Sequence, residues 1–178
     1  RANKNRWIEN SPGNINHFEL ISSNWNDFKF IHCVREYKDT YASWKTKNLG
    51  SLRDKSVHDF VDIVRNSYVQ VESYLGKETN TYIEIKYEDT VCHTEKTLRK
   101  VINFIGEEWI DGLHEYSGSD TDINKCRQVI KKECTTSDSL RKPIFTSRIG
   151  HWVDEISLYE AEVIDNELNN YSEIFGYL

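Results

Sequence analysis

The chain has 178 residues, 38% of them hydrophobic, which suits one globular domain with a real core and excludes a disordered tail or a coiled-coil rod. Acidic residues outnumber basic ones 29 to 23, a net charge of −6, so no whole-surface cation is present to hold a nucleic-acid backbone, and an anionic ligand must be met by a local site. No run of about 18 apolar residues occurs and the opening RANKNRWIEN lacks the blocks of an export signal, so no membrane span is expected in this chain and a cytoplasmic location is the default.

In chain order, Asn14 to Trp25 places Ile15, Phe18, Ile21 and Trp25 on one helical face. Phe28 to Val34 then reads as a short, largely buried strand, and a helix feeding a strand is an α/β signal. After Arg35, the stretch from Glu36 to about Lys47 carries Tyr37, Tyr41 and Trp44 at helical spacing. Val57, Phe60, Val61, Val64, Tyr68, Val71 and Leu75 predict a five-turn helix, opened by Ser56 with Asp59 three residues later and closed by Gly76. Thr81 to Tyr87 alternates with period two and is rich in β-formers, predicting a second strand. Leu98, Val101, Ile102 and Ile105 give the next helix, with Gly106 at its end.

From Glu107 to about Ile144 the chain is polar and weakly periodic, and loops with at most one helix are expected. Order returns with a capping box at Ser157 and Glu160, followed by Ala161, Ile164, Leu168 and Phe175 near one face and Gly176 to close the helix. Strands alternating with helices predict an α/β sandwich with parallel crossovers. Two strands alone make a poor sheet, and a chain that starts at Arg1 and holds no Met is expected to lack an N-terminal part of the domain. Cys33, Cys92, Cys126 and Cys134 form no CxxC, so neither a zinc site nor a disulfide framework is expected, although Cys126 and Cys134 could pair.

The sharpest chemical signal lies between Phe28 and Trp44. Arg35 ends a buried strand, and Ser43 follows eight residues later, about two turns into the next helix. In an open α/β sheet, ligands sit at the carboxyl ends of strands, and an Arg fork with a Ser hydroxyl there can clamp a phosphate. The alternative use of the same residues is structural: Arg35 paired with Glu36 or Asp39, and Ser43 back-bonded within its helix.

Read together, the segments resemble the sulfotransferases that use 3'-phosphoadenylyl sulfate (PAPS). FKFIHCVREYKDTYASW matches that family's strand-Arg-helix-Ser motif, and RWIENSPGN is similar to its RW-x-E-K-T-P-x-N element. YIEIKYEDTVCHTEKTLRKVINFIGEEW resembles its strand, Tyr-Glu-Asp turn and helix, while TSRIGHWVDEIS with the terminal FGYL is similar to its cofactor-closing segment. The resemblance implies a three-layer α/β sandwich with a central parallel sheet of the P-loop type, and transfer of a sulfuryl group from PAPS to a hydroxyl or amine, without a metal. It implies that Arg35 and Ser43 hold the cofactor's 3'-phosphate, that Tyr87 lies by the adenine, and that Ser147, Arg148 and Gly150 close over the phosphate. Trp152 reads as packing, and Glu88 and Asp89 as part of a structural turn or a helix start rather than as catalytic groups.

Two departures stand out. The family's Gly-rich phosphosulfate loop, expected before RWIENSPGN, does not occur in this sequence, and Asn10 replaces the Lys that follows Glu9 in the family pattern. Asn10 can donate a hydrogen bond to a sulfuryl or bridging oxygen but brings no charge. Glu9 and His17 are near enough in sequence to be considered as the base, yet His17 falls on the polar side of its helix, and the preferred expectation is a base outside this chain. The acceptor, a small molecule or a glycan, is not specified; Tyr116, His114 and the Asp120/Asp122 loop are candidates for its border. Two rival readings remain: a catalytically impaired nucleotide-binding or assembly domain that keeps the fold, and a P-loop kinase relative, which requires a complete GxxxxGK[ST] upstream.

Overall fold

A computed structural model describes residues 6–46, 54–115 and 143–178. The expected elements at Tyr116, Asp120, Asp122, Cys126 and Cys134 lie outside those residues. The described helices are α1 (Phe18–Asn24), α2 (Tyr37–Thr46), α3 (Val57–Val69), α4 (Tyr87–Cys92), α5 (Thr94–Phe104) and α6 (Leu158–Ile174), with strands β1 (Phe30–Val34) and β2 (Tyr82–Lys86). The two strands pair in parallel, Phe30 opposite Tyr82 and Val34 opposite Lys86, and α2 and α3 lie in the connection between them. A parallel pair joined through helices is an α/β unit.

One face of the pair carries the core. Val34 and Tyr82 join Phe18, Phe60, Val71, Ile164 and Leu168 in a single apolar cluster, into which α1, α3 and α6 all send side chains. Phe18 is its aromatic hub, meeting Phe28, Phe30, Tyr74 and Tyr82 edge to face at centroid distances of 4.9–5.9 Å. Ile83 and Ile85 point to the other face by strand alternation and are buried as well, so β2 is covered on both sides.

Both helix starts expected from Ser and an acid three residues on are present. Ser56 accepts from Asp59 N at 3.2 Å and Ser157 from Glu160 N at 3.3 Å, each with the reciprocal bond from the acid. The first helix differs from its expectation. Pro12–His17 is a 3-10 helix, and only from Phe18 does the chain become α-helical; Phe18 is the one fully buried member of the expected face, whereas Trp25 is exposed and meets Trp7 edge to face. Pro12 at the start of the segment favours the tight turn, and a 3-10 step changes the angle between successive side chains and breaks the expected stripe.

The five-turn helix is likewise shorter than expected. α3 stops at Val69, and a turn plus a 3-10 segment, Glu72–Tyr74, carries Val71 and Leu75 into the core instead. Gly76 then reverses the chain at φ 71°, and its N–H is taken by the Glu84 carboxylate at 3.1 Å.

Candidate active site

The candidate site forms where β1 gives way to α2. Val34 is the last strand residue and Tyr37 the first helical one, so Arg35 and Glu36 fill the turn. The Glu36 carboxylate accepts Asp39 N at 2.8 Å and so caps the helix with its side chain; burial pushes that carboxyl above its ordinary range. Glu36 N in turn donates to Glu88 Oε1 at 3.1 Å. Glu88 also accepts from the Tyr177 hydroxyl at 2.9 Å, which ties together the β1 end, the start of α4 and the C-terminus. Glu88 lies in the first turn of α4, and its carboxylate joins neighbouring elements instead of capping that helix.

Arg35 lies at the centre. Its Nη2 donates to the carbonyl of Arg148 at 2.6 Å and stands 3.7 Å from Asp39 Oδ2, while its guanidinium covers the Tyr87 ring at 4.5 Å. Parallel pairing explains the last contact: Val34 is opposite Lys86, so the residues that follow each strand, Arg35 and Tyr87, emerge side by side. Stacking on the ring sets the plane of the guanidinium. Arg35 Nε is buried and has no hydrogen-bond partner among the described residues.

Ser147, Arg148 and Gly150 belong to a turn that runs into a 3-10 helix, His151–Asp154, and this segment packs on α2. Asp39 receives Gly150 N at 2.8 Å and Trp152 N at 2.9 Å. Gly150 has φ 72° with nothing within 4 Å of where a Cβ would stand, so glycine is needed for backbone conformation and not for space. Trp152 serves the packing expected of it, with Lys38 Nζ 4.8 Å from its ring centroid and 2.8 Å from Asp165 of α6. The Arg148 guanidinium lies 3.6 Å from Glu155 Oε1, an oxygen that also takes His151, while Glu155 Oε2 is buried without a partner among the described residues.

The structure thus brings Arg35, Tyr87, Arg148 and Gly150 into one neighbourhood. Ser43 is on α2 and half-buried, and no hydrogen bond between the described residues links it to Arg35. Ser147 is exposed. Glu9 and Asn10 stand apart on the exposed N-terminal segment, where Glu9 accepts from Ser11 Oγ at 2.7 Å and from Asn14 Nδ2. Those bonds, Asn14's first, hold the Glu9 carboxyl below its ordinary range, which makes it a weak base and a good clasp for the Pro12 turn. His17 is exposed, as its place on the polar side predicts.

Residues 1–111 match the sulfotransferase family, a stretch that carries Glu9, Asn10, Arg35, Ser43 and Tyr87. The chain belongs to the sulfotransferase family. No individually curated protein is matched by it. In this sulfotransferase-family chain, sequence reasoning named Asp39 only in the structural alternative, as a partner of Arg35, a pair present here at 3.7 Å, and it missed Glu155 and the bonds from Asp39 to the 147–152 segment; the available signal was the position of Asp39 midway between Arg35 and Ser43 at four-residue spacing, which puts Asp39 and Ser43 on one helix face. Among the described residues no group of three or more His, Cys, Asp or Glu side chains could hold a metal, and no helix is long and apolar enough to cross a membrane.

Proposed function

We propose that this protein transfers a sulfuryl group from PAPS to a hydroxyl or amine on a small-molecule or glycan acceptor, on a three-layer, P-loop-type sandwich of which the parallel pair described above is one part. The observation that carries the reading is Arg35: three separate elements converge on its guanidinium, and its buried Nε–H is left for an acceptor that no described protein atom supplies. A phosphate oxygen suits that donor, since an Arg fork matches its geometry and charge.

PAPS supplies an activated sulfuryl group, and catalysis of such a transfer consists mostly of alignment and charge stabilisation. The residues present fit the nucleotide half of that task. Arg35 holds the 3'-phosphate, with Ser43 contributing its hydroxyl from the same helix, and Tyr87 keeps the guanidinium flat and offers its ring to the adenine. Ser147, Arg148 and Gly150 cover the phosphate from the other side. Asn10 donates a neutral hydrogen bond to the transferring group or the bridging oxygen, and Glu9 holds the turn on which Asn10 stands. The acceptor's proton goes to a base other than Glu9.

Asn10 in place of a Lys favours one second reading, a nucleotide-binding or assembly domain with impaired transfer. Calorimetry with 3',5'-ADP and 5'-AMP on the whole chain tests the site common to both readings. Charge-assisted bonds of about 1.5–3 kcal/mol correspond to a preference of at least about tenfold for 3',5'-ADP, which Arg35→Ala removes. Equal binding of the two nucleotides by the folded protein, or none, would falsify the PAPS-type site. Sulfuryl transfer from PAPS to a panel of phenol, alcohol and sugar acceptors then separates an enzyme from a binding domain.

A further inference from the structure

We infer that Asp39 is the positioning residue of the Arg35 site: its buried carboxylate docks the 147–152 segment onto α2 and thereby aims the Arg35 fork at a phosphate. The inference rests on the PAPS-type reading of that site and adds to it a residue with a defined task. Asp39 is 2% exposed, and a carboxylate that deep is tolerated only when its oxygens are well paired. It spends one oxygen on each of two backbone N–H groups, Gly150 N on Oδ2 at 2.8 Å and Trp152 N on Oδ1 at 2.9 Å, more than 100 residues away in sequence. Both are charge-assisted bonds to amides on either side of His151, so the carboxylate fixes the position and the tilt of the segment rather than a single point on it.

The same carboxylate acts on Arg35 from below. Asp39 Oδ2 faces Arg35 Nη2 at 3.7 Å, too far for a hydrogen bond but close enough for charge to draw that corner of the fork inward, where Nη2 donates to the Arg148 carbonyl. With Nη2 committed to the docked segment and the ring of Tyr87 beside the guanidinium, the buried Nε–H is a donor that no described residue takes. Arg35, Asp39 and Ser43 stand at four-residue intervals, so Asp39 sits between the two proposed phosphate ligands and holds the segment that covers them. Asp39 itself is anionic and repels a phosphate; its place is to position the ligand-binding groups and not to touch the ligand.

Asp39→Asn keeps the shape but turns one acceptor into a donor that faces a backbone N–H. Amide hydrogen exchange on the nucleotide-free whole chain, followed by calorimetry with 3',5'-ADP and 5'-AMP, tests the inference. Exchange at Gly150 and Trp152 is expected to quicken by at least about tenfold, with the amides of α3 and α6 unchanged, and the preference for 3',5'-ADP is expected to fall by a similar factor. Gly150→Ala approaches the same coupling from the segment: it crowds nothing, strains a left-handed residue, and should reduce the preference by about fivefold or more. Unchanged exchange at the two amides overturns the docking role. Faster exchange with the preference intact in both variants overturns the positioning role and leaves Asp39 a packing residue. Global loss of protection in Asp39→Asn with an unaltered preference in Gly150→Ala also overturns it. If the unmodified protein already fails to prefer 3',5'-ADP, the PAPS-type reading falls first, a result distinct from a preference that is present and insensitive to Asp39.

Discussion

His32 and Arg35 stand three residues apart, one within β1 and one just beyond it, and they spend their nitrogens in opposite ways. His32 is buried and its Nδ1 lies 2.7 Å from the Tyr82 hydroxyl, which itself donates to Glu84 Oε1 at 2.8 Å. Since Tyr82 has one hydroxyl proton and gives it to Glu84, His32 Nδ1 is the donor of the first bond, which sets the tautomer of the ring. Edge-on contacts with Tyr68 and Phe175 complete an apolar surround, and burial pulls the imidazole down to about 4. Arg35 is 19% exposed at its side chain, carries a permanent charge and keeps a donor that no described residue takes. The chain of bonds through Tyr82 belongs to the fold, while the unfinished set at Arg35 is the one on which the proposed phosphate site rests. A buried chain of hydrogen bonds within β1 and β2 marks a structural network, whereas convergence on a charged side chain with a donor left over nominates a site.

The largest expected effect tests the structural side of that contrast. Below its ordinary value of about 6.5, His32 takes up a proton in the unfolded chain but not in the folded one, so stability is full above pH 6.5 and declines as pH falls toward 4, by up to about 3 kcal/mol in all. Glu84, pushed up by burial, works in the opposite sense at the acid end of that window. Denaturant titrations of the unmodified protein and of His32→Asn, whose amide nitrogen can stand in for Nδ1, isolate the histidine by difference. A variant with the same pH dependence as the parent would show that His32 titrates freely.

A smaller effect sharpens the contrast directly. Tyr82→Phe removes the hydroxyl that both His32 and Glu84 use, and should cost about 1–3 kcal/mol of stability while leaving the preference for 3',5'-ADP untouched, the reverse of the pattern expected for Arg35→Ala. A fall in nucleotide preference with Tyr82→Phe would erase the division between the two regions. The smallest effect serves as a control distant from both. Ser56→Ala deletes one cap of α3 and should cost about 1 kcal/mol at every pH, measured by thermal unfolding, with no change in nucleotide binding. Any change in binding there would mean that lost stability alone mimics a site defect.

Much of the scaffold is legible in the order of residues. Both capping boxes, both strands and the position of Arg35 at a strand end follow from signals that span fewer than a dozen residues each: apolar period, β-branched content, a Ser with an acid three positions on. The misreadings were local too. A 3-10 start at Pro12 and the early end of α3 at Val69 preserve the burial of Phe18, Val71 and Leu75 while changing the element that delivers them, because apolar spacing reports which side chains go inside more faithfully than which helix type takes them there.

The site was legible only as a set of candidates. Sequence by itself determined that an Arg follows a buried strand, that a Ser lies two turns on, and that an SRIG segment comes later in the chain. It did not determine which polar groups pair: Asp39 with Gly150 and Trp152, Glu88 with Glu36 and Tyr177, His32 with Tyr82. Apart from the neighbouring Glu36 capping bond, the partners in these networks are about 50 to more than 100 residues apart, and local periodicity carries no information about them. The tertiary structure decides them, because only the parallel pairing of β1 with β2 and the packing of the 147–152 segment on α2 place those groups within reach, where burial then requires each to find a partner.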